Sequence, residues 1–285
     1  EPCNHYGKTP PCTKKIINKK IKRVIFSIND TDLRSKNKAA KKLINKKIAV
    51  KKNILKKFAR EFYQSYFLQS SNQLPFVDAK LAISNDSFTI NKKERWITNI
   101  KSRILGNFIR SKYDCFLTTS KTINDDNPRL DCRIEGLEKK TPDLVIIDRF
   151  FTIKKNLQIF KNKGRKIYIL TSANNSLKEN FLKKKGVKVI HLFLNKTEVS
   201  NLKKILYSIK KLGFNRIFIE SGITFVSKLL QYNLIKNFYL FKSSKNLKSK
   251  GHNNSSFSAI KNVLILKKNK IKVNLGEDIL YKVKL

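Results

Sequence analysis

The sequence predicts an α/β fold built on a largely parallel sheet covered on both faces, and three observations carry that expectation. Short apolar runs recur along most of the chain, segments of helical spacing separate them, and several of the runs are continuously apolar rather than alternating. Continuous apolar strands are those buried on both faces, and strand–helix–strand order supplies the crossovers that parallel pairing needs.

Residues 1 to about 70 form a first block. Ile21 to Ile28 reads as a short β-type run and Ser35 to Asn45 as a helix. From Asn53 to Gln69, Ile54, Leu55, Phe58, Phe62, Tyr66 and Phe67 fall near helical spacing, which predicts one amphipathic helix. The polar run Ser70-Ser71-Asn72-Gln73 interrupts this before Leu74-Pro75, so the domain boundary is placed there, dividing 1–72 from 73–285.

The second block alternates strands and helices. Phe76–Ile83, Asp114–Thr119, Leu144–Asp148, Lys166–Thr171, Val187–Leu192 and Arg216–Glu220 read as strands. Thr98 is the expected N-cap of a helix carrying Ile100, Ile104, Leu105 and Phe108 on one face, and Val199–Leu212 is a further helix. Lys242 to Ser258, rich in Ser, Lys and Asn, reads as a mobile loop. Closing strands are expected at Asn262–Leu266, Ile271–Leu275 and Ile279–Val283.

A chain of 285 residues is long enough for one large domain or two modest ones, and 40% hydrophobic content excludes wholesale disorder. No apolar run approaches the ~20 residues of a membrane span. The charge is extreme, 63 Lys+Arg against 20 Asp+Glu, or +43. Such a field attracts nucleic acid by counterion release. The excess is nearly all lysine, however, spread along the chain together with abundant Asn, Ile and Phe, as drift towards AT-rich codons would produce. That weighs against nucleic acid as the partner, while the field still collects phosphorylated small molecules. Four cysteines in a chain of this length make no disulfide framework. Cys115 reads as core and Cys132 as a loop thiol, and a soluble, reducing, cytoplasmic setting is expected.

The chain opens Glu1-Pro2-Cys3-Asn4-His5-Tyr6-Gly7-Lys8-Thr9-Pro10-Pro11-Cys12. Cys3 and Cys12, each beside a proline and separated by a Gly-Lys-Thr turn, look like part of a metal site, because thiolates are good zinc ligands. Nucleobase deaminases use one His and two Cys on zinc with a proton-shuttling Glu, commonly with two residues between the cysteines where this chain has eight. The remaining ligand is expected upstream of residue 1. His5 reads as a pocket residue, His191 as buried in a strand and His252 as a loop residue.

This opening string resembles the second half of the deaminase signature of the bifunctional riboflavin-biosynthesis deaminase/reductase (RibD-type) family, with Asn4 in place of the usual Ser. The resemblance continues through Leu74-Pro75-Phe76-Val77 and Lys80 to Asp86, then Trp96-Ile97-Thr98, Ser102-Arg103 and Arg110. It runs on through Thr122 to Leu130, Arg133, Ile219-Glu220-Ser221-Gly222 and Gly276-Glu277-Asp278. Each piece is weak alone, but their order and spacing are specific.

The resemblance implies a dihydrofolate-reductase-like reductase domain at 73–285, preceded by the C-terminal remnant of a cytidine-deaminase-like α/β domain at 1–72. It implies NADPH-dependent reduction of 5-amino-6-(5-phosphoribosylamino)uracil to the ribityl form, hydride passing to the sugar C1′ of the ring-opened imine. The full-length parent would first perform the zinc-dependent pyrimidine deamination. Cofactor contacts carried over are Ala82, Trp96, Thr122, Asp126 and Gly222; substrate contacts are Arg110, Leu130, Arg133 and Glu220; zinc ligands are Cys3 and Cys12. Asp126 is the candidate for steering a proton or holding a ribose hydroxyl. The family also implies a homodimer through the reductase domain.

Physical chemistry supports several of these roles. A strand ending in Glu-x-Gly before a helix turns backbone N–H groups and a positive helix end towards an anion, and Arg110 and Arg133 are planar forks suited to phosphate. Three departures stand out. Ser87 replaces a glycine of the Ser-x-Asp-Gly turn, Glu94 stands where a substrate-contacting Ser is usual, and Arg149 stands where a cofactor-contacting Ser is common. Two other readings stay open on the residues. One is a nucleic-acid-binding protein with steep salt dependence; the other is a catalytically degenerate relic of the reductase fold.

Overall fold

The computed structural model describes residues 1–70, 74–161, 164–194, 197–257, 259–265 and 269–285. The chain divides into two compact units, Glu1–Leu74 and Pro75–Leu285. Residues 71–73 of the polar run at the expected boundary lie outside the described residues.

In the first unit, α1 (Cys12–Asn18), β1 (Arg23–Ile25), α2 (Lys38–Asn45), β2 (Ala49–Lys51), α3 (Lys56–Phe62) and α4 (Gln64–Ser70) follow one another. β1 and β2 pair in parallel, and α2 buries Ala39, Ala40 and Leu43. The single helix expected over 53–69 is two helices. α3 ends with Tyr63 as its C-cap and α4 starts at Gln64, while Leu55, at φ +53°, begins α3 from the left-handed region. The expected apolar stripe is therefore split, and Phe58 and Phe62 stay exposed.

In the second unit the sheet runs β12–β13–β10–β3–β9–β5–β6–β7–β8. Its strands are β3 (Phe76–Ile83), β5 (Cys115–Thr119), β6 (Asp143–Ile147), β7 (Ile167–Thr171), β8 (Val187–His191), β9 (Arg216–Ile219), β10 (Asn237–Lys242), β12 (Asn269–Lys270) and β13 (Ile279–Lys284). All pairings from β10 to β8 are parallel, and β13 and β12 close one edge antiparallel. β4 (Phe88–Asn91) and β11 (Gly251–Asn254) form a separate antiparallel pair. The helices are α5 (Ile100–Arg110), α6 (Ser120–Asp126), α7 (Ser176–Lys184), α8 (Glu198–Lys211), α9 (Ile223–Gln231) and α10 (Ile260–Ile265). The central strands are buried along nearly their whole length, β7 at every residue, which is why they read as continuous apolar runs.

Several expectations need correction. Asn99, not Thr98, caps α5: its Oδ1 accepts from Ser102 N at 3.0 Å. The helix turns Ile100, Ile104 and Phe108 outward and buries Ser102, Gly106, Asn107 and Ile109. Polar anchors set this rotation, because Ser102 Oγ donates to Asp278 Oδ2 at 2.6 Å and Asn99 Nδ2 donates to Leu275 O at 2.6 Å. The stretch 242–258 is not one loop, since β11 pairs with β4 and Asp86 accepts from the backbone N–H groups of Leu247 and Lys248. Asn262–Leu266 was expected as a strand, but α10 covers it to Ile265, and Leu266 lies outside the described residues; Ile271–Leu275 forms no strand. His191 is half-exposed and bonds Glu179 Oε2 at 3.1 Å rather than lying in the core, while Cys132 is buried with its thiol directed to Asn107 O.

Candidate active site

The parallel strands deliver their carboxyl ends to one edge of the sheet, where open α/β sheets bind ligands. Register does the first piece of assembly. Ala79 pairs with Ile219, so Lys80 on β3 lies beside Glu220, the first residue after β9. Arg110, the last residue of α5, completes the cluster. Its Nε donates to Glu220 Oε1 at 2.8 Å and its Nη2 to Oε2 at 2.7 Å, a two-point fork. Lys80 Nζ lies 3.8 Å from the same Oε2, and the Arg110 and Glu220 side chains are only 13% and 14% exposed. Burial alone would raise the Glu220 carboxyl, but Arg110 and Lys80 outweigh it and hold it down to about 2. Burial lowers the Lys80 ammonium against the opposing pull of Glu220. The result is a buried anion between two cations.

Beside it, three hydroxyls form a triangle. Thr119 Oγ1 lies 3.1 Å from Thr122 Oγ1 and 3.3 Å from Ser221 Oγ, and Thr122 Oγ1 lies 3.1 Å from Ser221 Oγ. Gly222 N donates to Thr122 Oγ1 at 3.3 Å and opens α9 without a side-chain cap or an acidic residue in the first turn. A Cβ added at Gly222 would meet nothing within 4 Å. Uncapped N–H groups, hydroxyls and open space make a donor set that fits a nucleotide phosphate.

Of the other expected cofactor residues, Ala82 lies two residues along β3 from Lys80, partly buried against the core. Trp96 lies between two guanidinium groups, Arg95 at 5.1 Å and Arg103 at 4.7 Å from its ring centre. Arg95 Nη2 also donates to Asp126 O at 3.3 Å, tying Trp96's neighbour to the end of α6. Burial raises the Asp126 carboxyl, with Asp125 adding to the effect.

The expected substrate residues Leu130 and Arg133 sit on the segment after α6. Leu130 is buried at φ +52°, a conformation costly for a bulky side chain. Asp131, also buried, reaches Arg129 Nη2 at 2.8 Å and Arg133 Nε at 3.4 Å, and its carbonyl accepts from Arg110 Nη1 at 3.5 Å. Arg110, Glu220, Leu130 and Arg133 are thus linked through Asp131. Sequence reasoning missed Lys80, Thr119, Asp131 and Ser221. Lys80 alone carried a signal, as a lysine inside a strand that is apolar but for it and Asp78.

The three departures find physical settings. Ser87 adopts φ +71°, the region that glycine tolerates, and its carbonyl accepts from Ser255 N and Oγ, each at 2.8 Å. Glu94 faces Lys245 at 3.4 Å, which offsets its charge. Arg149 follows β6, where its carbonyl accepts from Ser172 N at 3.2 Å and its guanidinium lies over Phe150.

In the first unit, Cys3 Sγ and Cys12 Sγ are 3.2 Å apart, while His5 Nδ1 bonds Ser35 Oγ at 2.9 Å. Among the described residues no group of three or more His, Cys, Asp or Glu could hold a metal. Two adjacent thiols fit part of a zinc site, but a closed or catalytic site needs a third protein ligand.

The fold and this edge define an open, mostly parallel α/β protein with a cluster of charged and hydroxyl side chains at the carboxyl ends of its central strands. Residues 75–274 match the RibD C-terminal domain family, to which the chain belongs. It is 28% identical over 282 residues to the riboflavin biosynthesis protein RibD of Aquifex aeolicus, covering 98% of this chain and 77% of that one. It is 29% identical over 225 residues to RibD of Bacillus amyloliquefaciens, covering 78% of this chain and 60% of that one. Among solved structures, Acinetobacter baumannii RibD superposes with a TM-score of 0.80 at 24% identity, over 100% of this chain and 78% of that one. A diaminohydroxyphosphoribosylaminopyrimidine deaminase/5-amino-6-(5-phosphoribosylamino)uracil reductase of Thermotoga maritima does so with a TM-score of 0.80 at 24% identity, over 100% and 77%. Among the described residues, no helix is long and apolar enough to cross a membrane.

Proposed function

We propose that this chain is the reductase of riboflavin biosynthesis, reducing 5-amino-6-(5-phosphoribosylamino)uracil to its ribityl form with NADPH. The observation that carries this reading is the buried Lys80–Glu220–Arg110 cluster beside the hydroxyl and helix-end cradle at Gly222. The family assignment supports the same reaction.

NADPH, when bound, supplies the hydride. Gly222, Thr122 and the open N-terminus of α9 hold its phosphates, Trp96 and Ala82 contact the cofactor, and Asp126 holds a ribose hydroxyl. Arg133, half-exposed and only loosely held by Asp131, takes the substrate phosphate. Arg110 donates Nε and Nη2 to Glu220 and Nη1 to Asn107 Oδ1, so Arg110 fixes that carboxylate. Glu220 stays ionised at neutral pH and orients the reacting sugar by accepting hydrogen bonds. Reduction adds one hydride and one proton to the imine. Lys80 Nζ, protonated and made more acidic by burial, is the group suited to deliver that proton, which solvent replaces.

The first unit is assigned to the C-terminal part of a zinc deaminase domain, with Cys3 and Cys12 as two of its ligands; no step is derived for it. A homodimer through the reductase domain and a cytoplasmic setting belong to the same reading, and sedimentation checks the former. The functional test is loss of NADPH absorbance with the purified chain and the phosphoribosylamino-uracil. Turnover abolished by Lys80→Met supports the reading. NADPH binding without turnover points to a degenerate reductase, and no NADPH binding overturns the assignment.

A further inference from the structure

Arg165, two residues before β7, is a buried cation that the proposed reaction does not use. It is 9% exposed, and among the described residues it meets no carboxylate within ion-pair distance. Burial lowers its guanidinium to about 10, so it remains charged at neutral pH. A buried charge must be offset by well-aimed hydrogen bonds. Here they go to two consecutive carbonyls: Nη1 donates to Leu130 O at 2.5 Å and Nη2 to Arg129 O at 2.8 Å. A two-pronged planar donor fixes both the position and the direction of the peptide between those residues.

That peptide is the strained one. Leu130 holds φ +52°, and Asn127, three residues earlier, holds φ +40°. Neither is glycine, so the conformation persists only where surrounding bonds over-determine it. Immediately beyond it, Asp131 is flanked by Arg129 at 2.8 Å and Arg133 at 3.4 Å. The second contact is too poorly aligned to satisfy Asp131 Oδ1, which has no hydrogen-bond partner among the described residues. Arg133 is therefore placed near Asp131 but keeps its fork available.

We propose that Arg165 is a positioning residue for substrate-phosphate recognition: by clamping the carbonyls of Arg129 and Leu130 it holds the strained turn that presents Arg133. This rests on the reductase reading above. It assigns the phosphate specificity of the site to a residue that touches no ligand.

The test compares wild type, Arg165→Lys and Arg165→Met in steady-state kinetics, using the phosphoribosylamino-uracil and its dephosphorylated ribosyl analogue, with near-UV circular dichroism as the folding control. The expected result is a rise of about tenfold in KM for the phosphorylated substrate in folded variants, with KM for NADPH unchanged. Preference for the phosphorylated over the dephosphorylated substrate falls by the same factor, which a merely structural defect would not produce. Equal losses on both substrates, or a parallel rise in KM for NADPH, overturn the proposal. If Arg165→Met does not fold, Arg165→Lys decides, because an ammonium cannot grip two carbonyls in one plane; kinetics identical to wild type overturn the proposal. Absence of wild-type turnover on either substrate overturns the reductase reading, and this assignment falls with it.

Discussion

At the scale of single residues, Glu220 has the largest consequences. Glu220→Gln leaves Lys80 and Arg110 buried without their anion, so we expect a loss of roughly 3–5 kcal/mol in urea unfolding together with loss of NADPH oxidation. The pH dependence has a defined sign. The folded carboxyl lies at about 2, below its ordinary 4.5, so its contribution is complete above 4.5 and lost as pH falls from there towards 2. Acid titration of stability should therefore show a decline, on the order of 3 kcal/mol, that Glu220→Gln removes. Ser87 is the opposite case. At φ +71° it carries strain that glycine would not. Ser87→Gly should raise the urea midpoint by the equivalent of about 1 kcal/mol, since the hydrogen bonds to its carbonyl are kept.

At the scale of elements, α5 shows how polar contacts overrule an apolar stripe. The row Ile100, Ile104 and Phe108 suggested the buried face, yet Asn99, Ser102 and Asp278 lock the helix with that row outward. The rotation brings Arg110 onto Glu220, so the packing error and the site geometry have one cause. Asn99→Ala removes a cap and a bond to Leu275 O. A cost of about 1–2 kcal/mol is expected in chemical denaturation, with a reduced kcat because Arg110 shifts relative to Glu220. A similar lesson comes from β4 and β11. β4 alternates Phe88 and Ile90 with Thr89 and Asn91, but β11 holds no apolar side chain, and it is pairing across a long sequence separation, with Asp86 accepting from Leu247 and Lys248, that makes β11 a strand.

At the scale of the whole molecule, two compact units imply more than one unfolding step. Under the reductase reading, NADPH at about 100 times its Kd stabilises the unit that binds it by about 2.7 kcal/mol. In calorimetry one transition should therefore rise by several degrees while the other stays fixed; both moving together, or neither, would contradict that reading. The net charge of +43 adds self-repulsion, so the midpoints should also rise modestly between low and physiological ionic strength.

The parallel α/β core is legible in the sequence, because strands buried on both faces are continuously apolar, as Leu144–Ile147 and Ile167–Leu170 are. The sequence by itself also determined the family, through Thr122 to Arg133 and Glu220 to Gly222 read in order. Tertiary structure alone decided what those residues do to one another. Lys80 meets Glu220 only through the β3–β9 register, and Arg110 reaches it from a helix 110 residues away in sequence. Thr119 and Ser221 become one cluster only when β5 and β9 lie side by side. Arg165 grips Leu130 across 35 residues. Local pattern records which faces are apolar; contacts between polar groups far apart in the chain leave no period in it, and these are the contacts from which the site is made.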